Sequence, residues 1–451
     1  MVPLTPAERL AKAEQPLVDS LRLHRLYGGK LQTALRCPVR DLGDFALWYS
    51  PGVAAPCQAI AAHPEQIYDY THKWNTVAIV SDGTRVLGLG DIGPRAALPV
   101  MEGKALLYKY LGGIDAWPLV LDTKDPHRLI QTVLVLQTGF GGINLEDIAQ
   151  PKCFRVLDML RQQAEIPVWH DDQQGTATAI LAGLMNALAW VGKALPDVAI
   201  AFIGAGAANI ACARLIFAAG ADPGRCFMVD SQGILHSQRQ DIQKRKAEFV
   251  DKWKFCQLTN REQRQGGIAA AMAGADVVIA LSHPGPGTIQ PDWVRTMAAG
   301  AIVFACANPT PEIWPWEATA AGAAVVATGR SDFPNQVNNS LVFPGVFRGA
   351  LDVRARAITD QMCLAAAQTL AQGAAQTGIQ AERILPTMED WGIFPQVAAA
   401  VAVKAVDQGL AQRPLSYDQA YDQATTLIGN ARQLTQLMMA AGLIAPDPSH
   451  G

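Results

Sequence analysis

The stretch "VAIAFIGAGAANIACARLIFAAGADPGRCFMVD" at 198–230 decides the fold. It reads as a short apolar run, a glycine turn at Gly204 and Gly206, an apolar helix, and a second apolar run ending in Asp230. A dinucleotide site needs those four parts in that order. The tight turn lets backbone approach the pyrophosphate, the helix N-terminus faces it, and the acid accepts hydrogen bonds from the ribose. Asp230 lies 24 positions beyond Gly206, near the spacing of roughly 20 that this unit requires. Asn209 stands where the third glycine is usual, a position that mainly sets helix–strand packing, so the spacing outweighs the missing letter. Gly204, Gly206, Ala207, Ala208 and Asp230 are the expected cofactor contacts.

A second stretch, "GLGDIG" at 88–93, fits G-x-G-x-x-G letter for letter. Its first strand-ending acid, Asp122, comes 32 positions after Gly90, and Pro94 follows the loop directly. A glycine-rich turn shaping a cleft wall is therefore its favoured reading.

Outward from 198–230, "ADVVIAL", "AIVFACA" and "AAVVATG" continue a series of buried parallel strands. An earlier series ("NTVAIVSDG", "RVLGLGD", "WPLVLD") alternates with helical patterns between about 75 and 145. Two α/β domains follow, joined near 160–175. The uncharged segment 173–192 has the length of a membrane span, but its Gln, Thr and Asn content and the adjoining Asp171 and Asp172 predict a helix buried between layers. After about 350 an Ala-rich helical tail should pack back on the body, with "APDPSHG" at the end frayed.

The 451 residues carry 37 basic and 40 acidic side chains, interspersed, for a net charge of −3. That pattern excludes nucleic acid and membrane surfaces as partners and leaves small molecules. Eight scattered cysteines without a C-x-x-C pair read as reduced, buried thiols of a cytosolic protein. The opening "MVPLTPAERLAKAEQ" lacks the layout of an export signal.

Two acidic pairs stand out: Glu146 and Asp147 in "GGINLEDI", and Asp171 and Asp172 in "PVWHDDQQGTA". Each pair alone is an ordinary loop or cap feature. Converging in one cleft they would repel and need a cation, and hard oxygen ligands without thiolates suit Mg²⁺ or Mn²⁺. His170 beside them is favoured as a structural histidine over a ligand.

Taken together, "YSPGVAAPC" (49–57), "SDGTRVLGLGDIGPRAALPVMEGKALLYKY" (81–110), "FGGINLEDI" (140–148), "WHDDQQGTAT" (169–178), "IGAGAANIA" (203–211), "ACANPTPEI" (305–313) and "ATGRSDFPNQVNNSLVFPGVFRGALDVRA" (327–355) resemble a malic enzyme of the short bacterial type. The resemblance implies an N-terminal α/β malic-enzyme domain at 1–165, a Rossmann-like dinucleotide-binding domain at 166–350 and a helical C-terminal segment at 351–451. It also implies oxidative decarboxylation of malate to pyruvate and CO₂ with NAD(P)⁺ and a divalent metal, in a homodimer or dimer of dimers. The metal ligands implied are Glu146, Asp147 and Asp172. Lys104 would be the base at the hydroxyl, its pKa depressed; Asp171 would hydrogen-bond that lysine, and Tyr49 would protonate the enol carbon. Arg85, Asn308 and Asn339 would hold substrate, and Asn308 and Asn338 the nicotinamide. Asp230 favours NAD over NADP, with Arg239 and Lys244 close enough in sequence to approach a phosphate. "HDDQQGTA" departs from many short-form members, with Gln174 in place of histidine, and "ILPTMEDWGIFPQ" has no role in the mechanism. The competing readings are an oxaloacetate decarboxylase or malolactic-type enzyme on the same site, and a non-catalytic nucleotide-binding regulator.

Overall fold

Unbroken apolar runs, rather than alternating ones, mark strands covered on both faces. A computed structural model describes residues 6–448 and contains two such sheets. The first has the order β2-β1-β3-β4, with β1 at Thr76–Ser81, β2 at Asp115–Val120, β3 at Gly142–Leu145 and β4 at Val168–His170, all parallel. In register, Val77 of β1 faces Ala116 on one side and Gly142 on the other. Ala78 and Val80 point into one core with Leu129, Ile143 and Leu145; Val77 and Ile79 point into another.

The second sheet has the order β10-β9-β8-β5-β6-β7, made of Ile200–Ile203 (β5), Cys226–Asp230 (β6), Gly233–Ile234 (β7), Val277–Ala280 (β8), Ile302–Ala305 (β9) and Val325–Thr328 (β10). Only β7 runs antiparallel. Strand order reverses at β5, so the crevice beyond the C-terminal ends of β5 and β8 is the place where such sheets bind ligands.

The chain is thus an α/β protein. The helix Thr176–Val191 is buried along most of its length between the helices Ala207–Ala218 and Asp360–Gln376, in keeping with its uncharged sequence. No helix among the described residues is long and apolar enough to cross a membrane. The C-terminal helices Phe343–Asp352, Asp360–Gln376, Ile393–Asp407 and Tyr417–Ala440 pack on the body, chiefly on Gly93–Gly112 and Thr176–Val191. Every residue of Phe343–Asp352 is buried. One continuous apolar core joins Ile79 and Trp169 of the first sheet, Phe202 and Phe304 of the second, and Phe347 and Phe394 of these helices.

Several expectations need correction. "RVLGLGD" forms no strand; Val86 and Gly90 bridge across a turn, because its glycines and the left-handed Leu87 (φ 48°) curl the chain. "GGINLEDI" is a strand at its centre, so Glu146 and Asp147 directly follow β3. The chain end is held as far as it is described: Arg22 pairs with Asp447 at 2.7 Å and the Tyr27 hydroxyl donates to Ala445 O at 2.8 Å. Residues 449–451 lie outside the described residues, as do residues 1–5. All eight cysteines are free, but Cys57 is exposed and Cys37 half-buried. The "ILPTMEDWGIFPQ" segment has a packing role: Asn186 Nδ2 donates to Ile384 O, and Asn335 Oδ1 accepts from Ile384 N, both at 2.9 Å.

A buried polar cluster fastens the tail. Arg348 donates to Asn75 Oδ1 and, at 2.6 Å, to Asp352 Oδ1, which also accepts from Gln423 of the last long helix. Arg348→Ala should destabilise the protein by about 3–5 kcal/mol, because Asp352 is left buried without its cation. The double change Arg348→Met with Asp352→Leu should cost far less. Denaturant midpoints of the two variants check this; equal losses would contradict it.

Candidate active site

Both sheets direct the C-terminal ends of their strands at one cleft of about 1060 Å³. Its floor is acidic. β3 delivers Glu146 and Asp147, and β4, its parallel neighbour, delivers Asp171 and Asp172 into a single π turn spanning Asp171–Gly175. Asp147 takes a left-handed backbone (φ 54°), and its N–H donates to Asp172 Oδ2 at 2.8 Å. Glu146, Asp147 and Asp172 each offer an oxygen within 4.8 Å of the others, and Asp147 Oδ2 is buried without a hydrogen-bond partner. A hard divalent cation fits this donor set.

The protonation of these groups follows from their burial. It pushes Glu146 well above the ordinary carboxylate range against the pull of Lys104, and pushes Asp147 up to about 8, with Asp172 adding like charge. His170, fully buried, is held below the usual histidine range by burial, and neither ring nitrogen has a hydrogen-bond partner. Its Nδ1 lies 3.4 Å from Asp172 Oδ2.

Lys104, on the helix Gly93–Gly112, enters the cluster from the side. Its Nζ is 2.7 Å from Glu146 Oε1, donates to Asp171 Oδ2, and sits 4.5 Å from the centre of the Phe343 ring. Two residues that the sequence did not single out orient these acids. Asn144 donates to Glu146 Oε2 at 3.0 Å while accepting from the Tyr108 hydroxyl at 2.8 Å, and Trp169 Nε1 donates to Asp171 Oδ1 at 3.0 Å. Because β3 and β4 are buried on both faces, nothing in their letters sets Asn144 and Trp169 apart from their neighbours or says what they touch.

The wall opposite is the loop after β5. Gly204 has φ 100°, which favours glycine, and the helix Ala207–Ala218 begins directly behind Gly206. Asn209 has its own function here: its Nδ2 donates to Ile203 O and Gly204 O, both at 2.8 Å, fixing the turn that a third glycine would merely allow. At the end of β6 Asp230 faces the cleft, gripped by Arg239 at 3.0 Å on each oxygen and approached by Lys252 at 3.5 Å. Arg85, Asn308, Asn338 and Asn339 also line the cleft, as does the "GLG" turn at 88–90. The Asn338 amide is engaged with backbone, accepting from Ser340 N and donating to Gly329 O.

Residues 29–161 match the family description "Malic enzyme, N-terminal domain", and residues 173–408 match "Malic enzyme, NAD binding domain". The chain belongs to the malic enzyme family. It is 44% identical to a bifunctional malic/malolactic enzyme of Bacillus subtilis over 91% of this chain and 98% of that one. It is 46% identical to an NAD-dependent malic enzyme of Geobacillus stearothermophilus, covering 86% and 78%. The crystal structure of Entamoeba histolytica malic enzyme superposes with a TM-score of 0.96 at 47% identity, covering 100% of this chain and 94% of that one. Relatives of this similarity divide between NAD-dependent and NADP-dependent malic enzymes.

Two of the expected residues stand differently from the rest. Lys104 is not depressed: burial lowers its pKa, but the charges of Asp171 and Glu146 overcome this and raise it above the usual lysine value. Tyr49 closes the helix Leu42–Trp48, is 74% exposed and does not line the cleft of its own chain. The proton that Asp147 holds near neutral pH must leave before its carboxylate binds a cation. Mn²⁺ affinity should therefore rise from pH 6 to pH 8, with protons released on binding at pH 7. Calorimetry in two buffers of different ionisation enthalpy measures this, and a flat affinity without proton release would contradict it.

Proposed function

We propose that this malic enzyme oxidises L-malate with NAD(P)⁺ and releases pyruvate and CO₂, with Lys104 as the base at the malate hydroxyl. The observation that carries the reading is the buried Lys104, held by Asp171 and Glu146 at the edge of a three-carboxylate cluster that shares its cleft with a dinucleotide loop. Glu146, Asp147 and Asp172 would hold a Mg²⁺ or Mn²⁺ ion. When bound, that ion supplies a Lewis acid for the C2 oxygen and offsets the negative charge that keeps the proton on Lys104.

The remaining work falls to the chain's own side chains. Lys104 Nζ takes the hydroxyl proton as hydride leaves C2, and Asp171, with its other oxygen fixed by Trp169, holds the amine in place. Arg85 offers a planar fork to a malate carboxylate. Asn308 and Asn339 orient the substrate, and Asn308 and the Asn338 turn the nicotinamide. Gly204, Gly206, Ala207 and Ala208 hold the pyrophosphate at the helix N-terminus. Tyr49 donates the proton that the enol carbon takes up after CO₂ leaves; because it does not line the cleft of its own chain, it acts there from a second copy of the chain.

Asp230 accepts the free ribose hydroxyls, which favours NAD. The Arg239 fork already engages its carboxylate, and Lys252 stands at the same rim, so the discrimination against a 2′-phosphate is modest. The malolactic reading has one specific support, the bifunctional Bacillus subtilis relative.

Malate and Mn²⁺ with NAD⁺ or NADP⁺ should give reduced nicotinamide and pyruvate in equal amounts, abolished by a chelator. Lactate without net nicotinamide reduction would identify the malolactic reaction instead. Lys104→Ala should lower kcat by about 10²–10⁴-fold while nucleotide affinity is kept; substantial residual turnover would exclude Lys104 as the base. Asp230→Ala should shift the ratio of kcat/KM values toward NADP, and Lys252→Ala toward NAD. An unchanged ratio in both would remove these residues from cofactor choice.

A further inference from the structure

Glu312 has no place in the reaction described above, yet it is completely buried. It lies in the loop after β9, and its carboxylate reaches two chain segments at once. Oε1 accepts from Ser282 N at 2.9 Å and from Ser282 Oγ at 3.3 Å; Oε2 accepts from Ala307 N at 3.0 Å. Its main-chain oxygen accepts from Gly287 N at 3.2 Å and Ile289 N at 3.1 Å. One residue thereby ties the loop that leaves β8 to the loop that leaves β9.

Both loops are walls of the cleft. Leu281, Ser282 and Pro284 line it from the first, and Cys306, Ala307 and Asn308 from the second. They are also where the other domain seats. A Cβ built on Gly88, in the "GLG" turn of the first domain, would lie 2.2 Å from Pro284 Cγ and 2.5 Å from Asn308 O, so this turn is in close contact with both loops. Burying the carboxylate has a cost, visible in a pKa raised to about 7 by desolvation against the hydrogen bonds from Ser282 and Ala307. A cost of that kind is retained where something depends on the group.

We infer that Glu312 is a positioning residue: its carboxylate clamps the β8 and β9 loops together, sets the seat on which the Gly88 turn docks, and thereby places Asn308 against substrate and nicotinamide. The last step rests on the reading of Asn308 given above; the clamp does not. Catalysis is sensitive to such placement, since an error of about 1 Å far from the reacting atoms can cost on the order of 10²-fold in rate.

Glu312→Gln is close to isosteric but points an amide NH₂ at one of the two loop N–H donors. In this variant amide exchange, followed by mass spectrometry, should accelerate about tenfold or more across 281–289 or 305–312, with β5 unchanged. In the wild-type protein both segments should be protected, and fast exchange there, or an unchanged pattern in the variant, would overturn the clamp. Glu312→Gln should also lower kcat/KM for malate by about tenfold or more. In an Asn308→Ser background the same change should cost less than about twofold, because the two residues act on one step. Equal losses in both backgrounds would overturn the link to Asn308. Wild-type protein that fails to oxidise malate would instead remove the functional reading, while the exchange result would still decide the clamp.

Discussion

The site depends on one electrostatic constraint: four carboxylates at the ends of two adjacent parallel strands, three of them buried, cannot crowd together as bare anions. Lys104 provides part of the answer, balancing Asp171 and Glu146. The rest is met by protonation at Asp147, or by a cation among Glu146, Asp147 and Asp172. Much of the surrounding structure holds this balance. The Tyr108–Asn144 pair and Trp169 fix which oxygens point where, and Phe343 lays an aromatic face against the lysine. Each is buried, so each hydrogen bond acts in a medium where a misplaced charge is expensive.

Features that lie close together along the chain were legible in the sequence. The strand–turn–helix–strand unit of 198–230 could be read from spacing because all its parts fall within one supersecondary element. The buried helix at 176–191 was legible for the same reason. The two acidic pairs were legible only as suspects. That they meet follows from β3 lying beside β4, a non-local pairing between strands of four and three residues that no periodicity announces.

Other features could not be read from linear order. The environment of Lys104 depends on side chains 42 and 67 positions away, so the sign of its pKa shift was beyond reach. Tyr49 carried a motif, but motif letters do not say which way a short helix presents its end. "RVLGLGD" has the composition of a strand, and its glycines and left-handed Leu87 turned it instead into a contact surface. Asn209 looked like a defect in a fingerprint and is a strut.

The helix Phe343–Asp352 follows the dinucleotide sheet in sequence, yet Arg348 binds it to Asn75 at the start of the first sheet. The polypeptide thus passes between the two sheets twice, once at 171–175 and again at 329–342. Both passages carry groups assigned to the reaction: Asp171 and Asp172 in the first, Asn338 and Asn339 in the second. The groups assigned to the reaction therefore sit on the same two stretches of backbone that join the sheets, so lengthening or shortening either stretch would act on the joint and on the site at once.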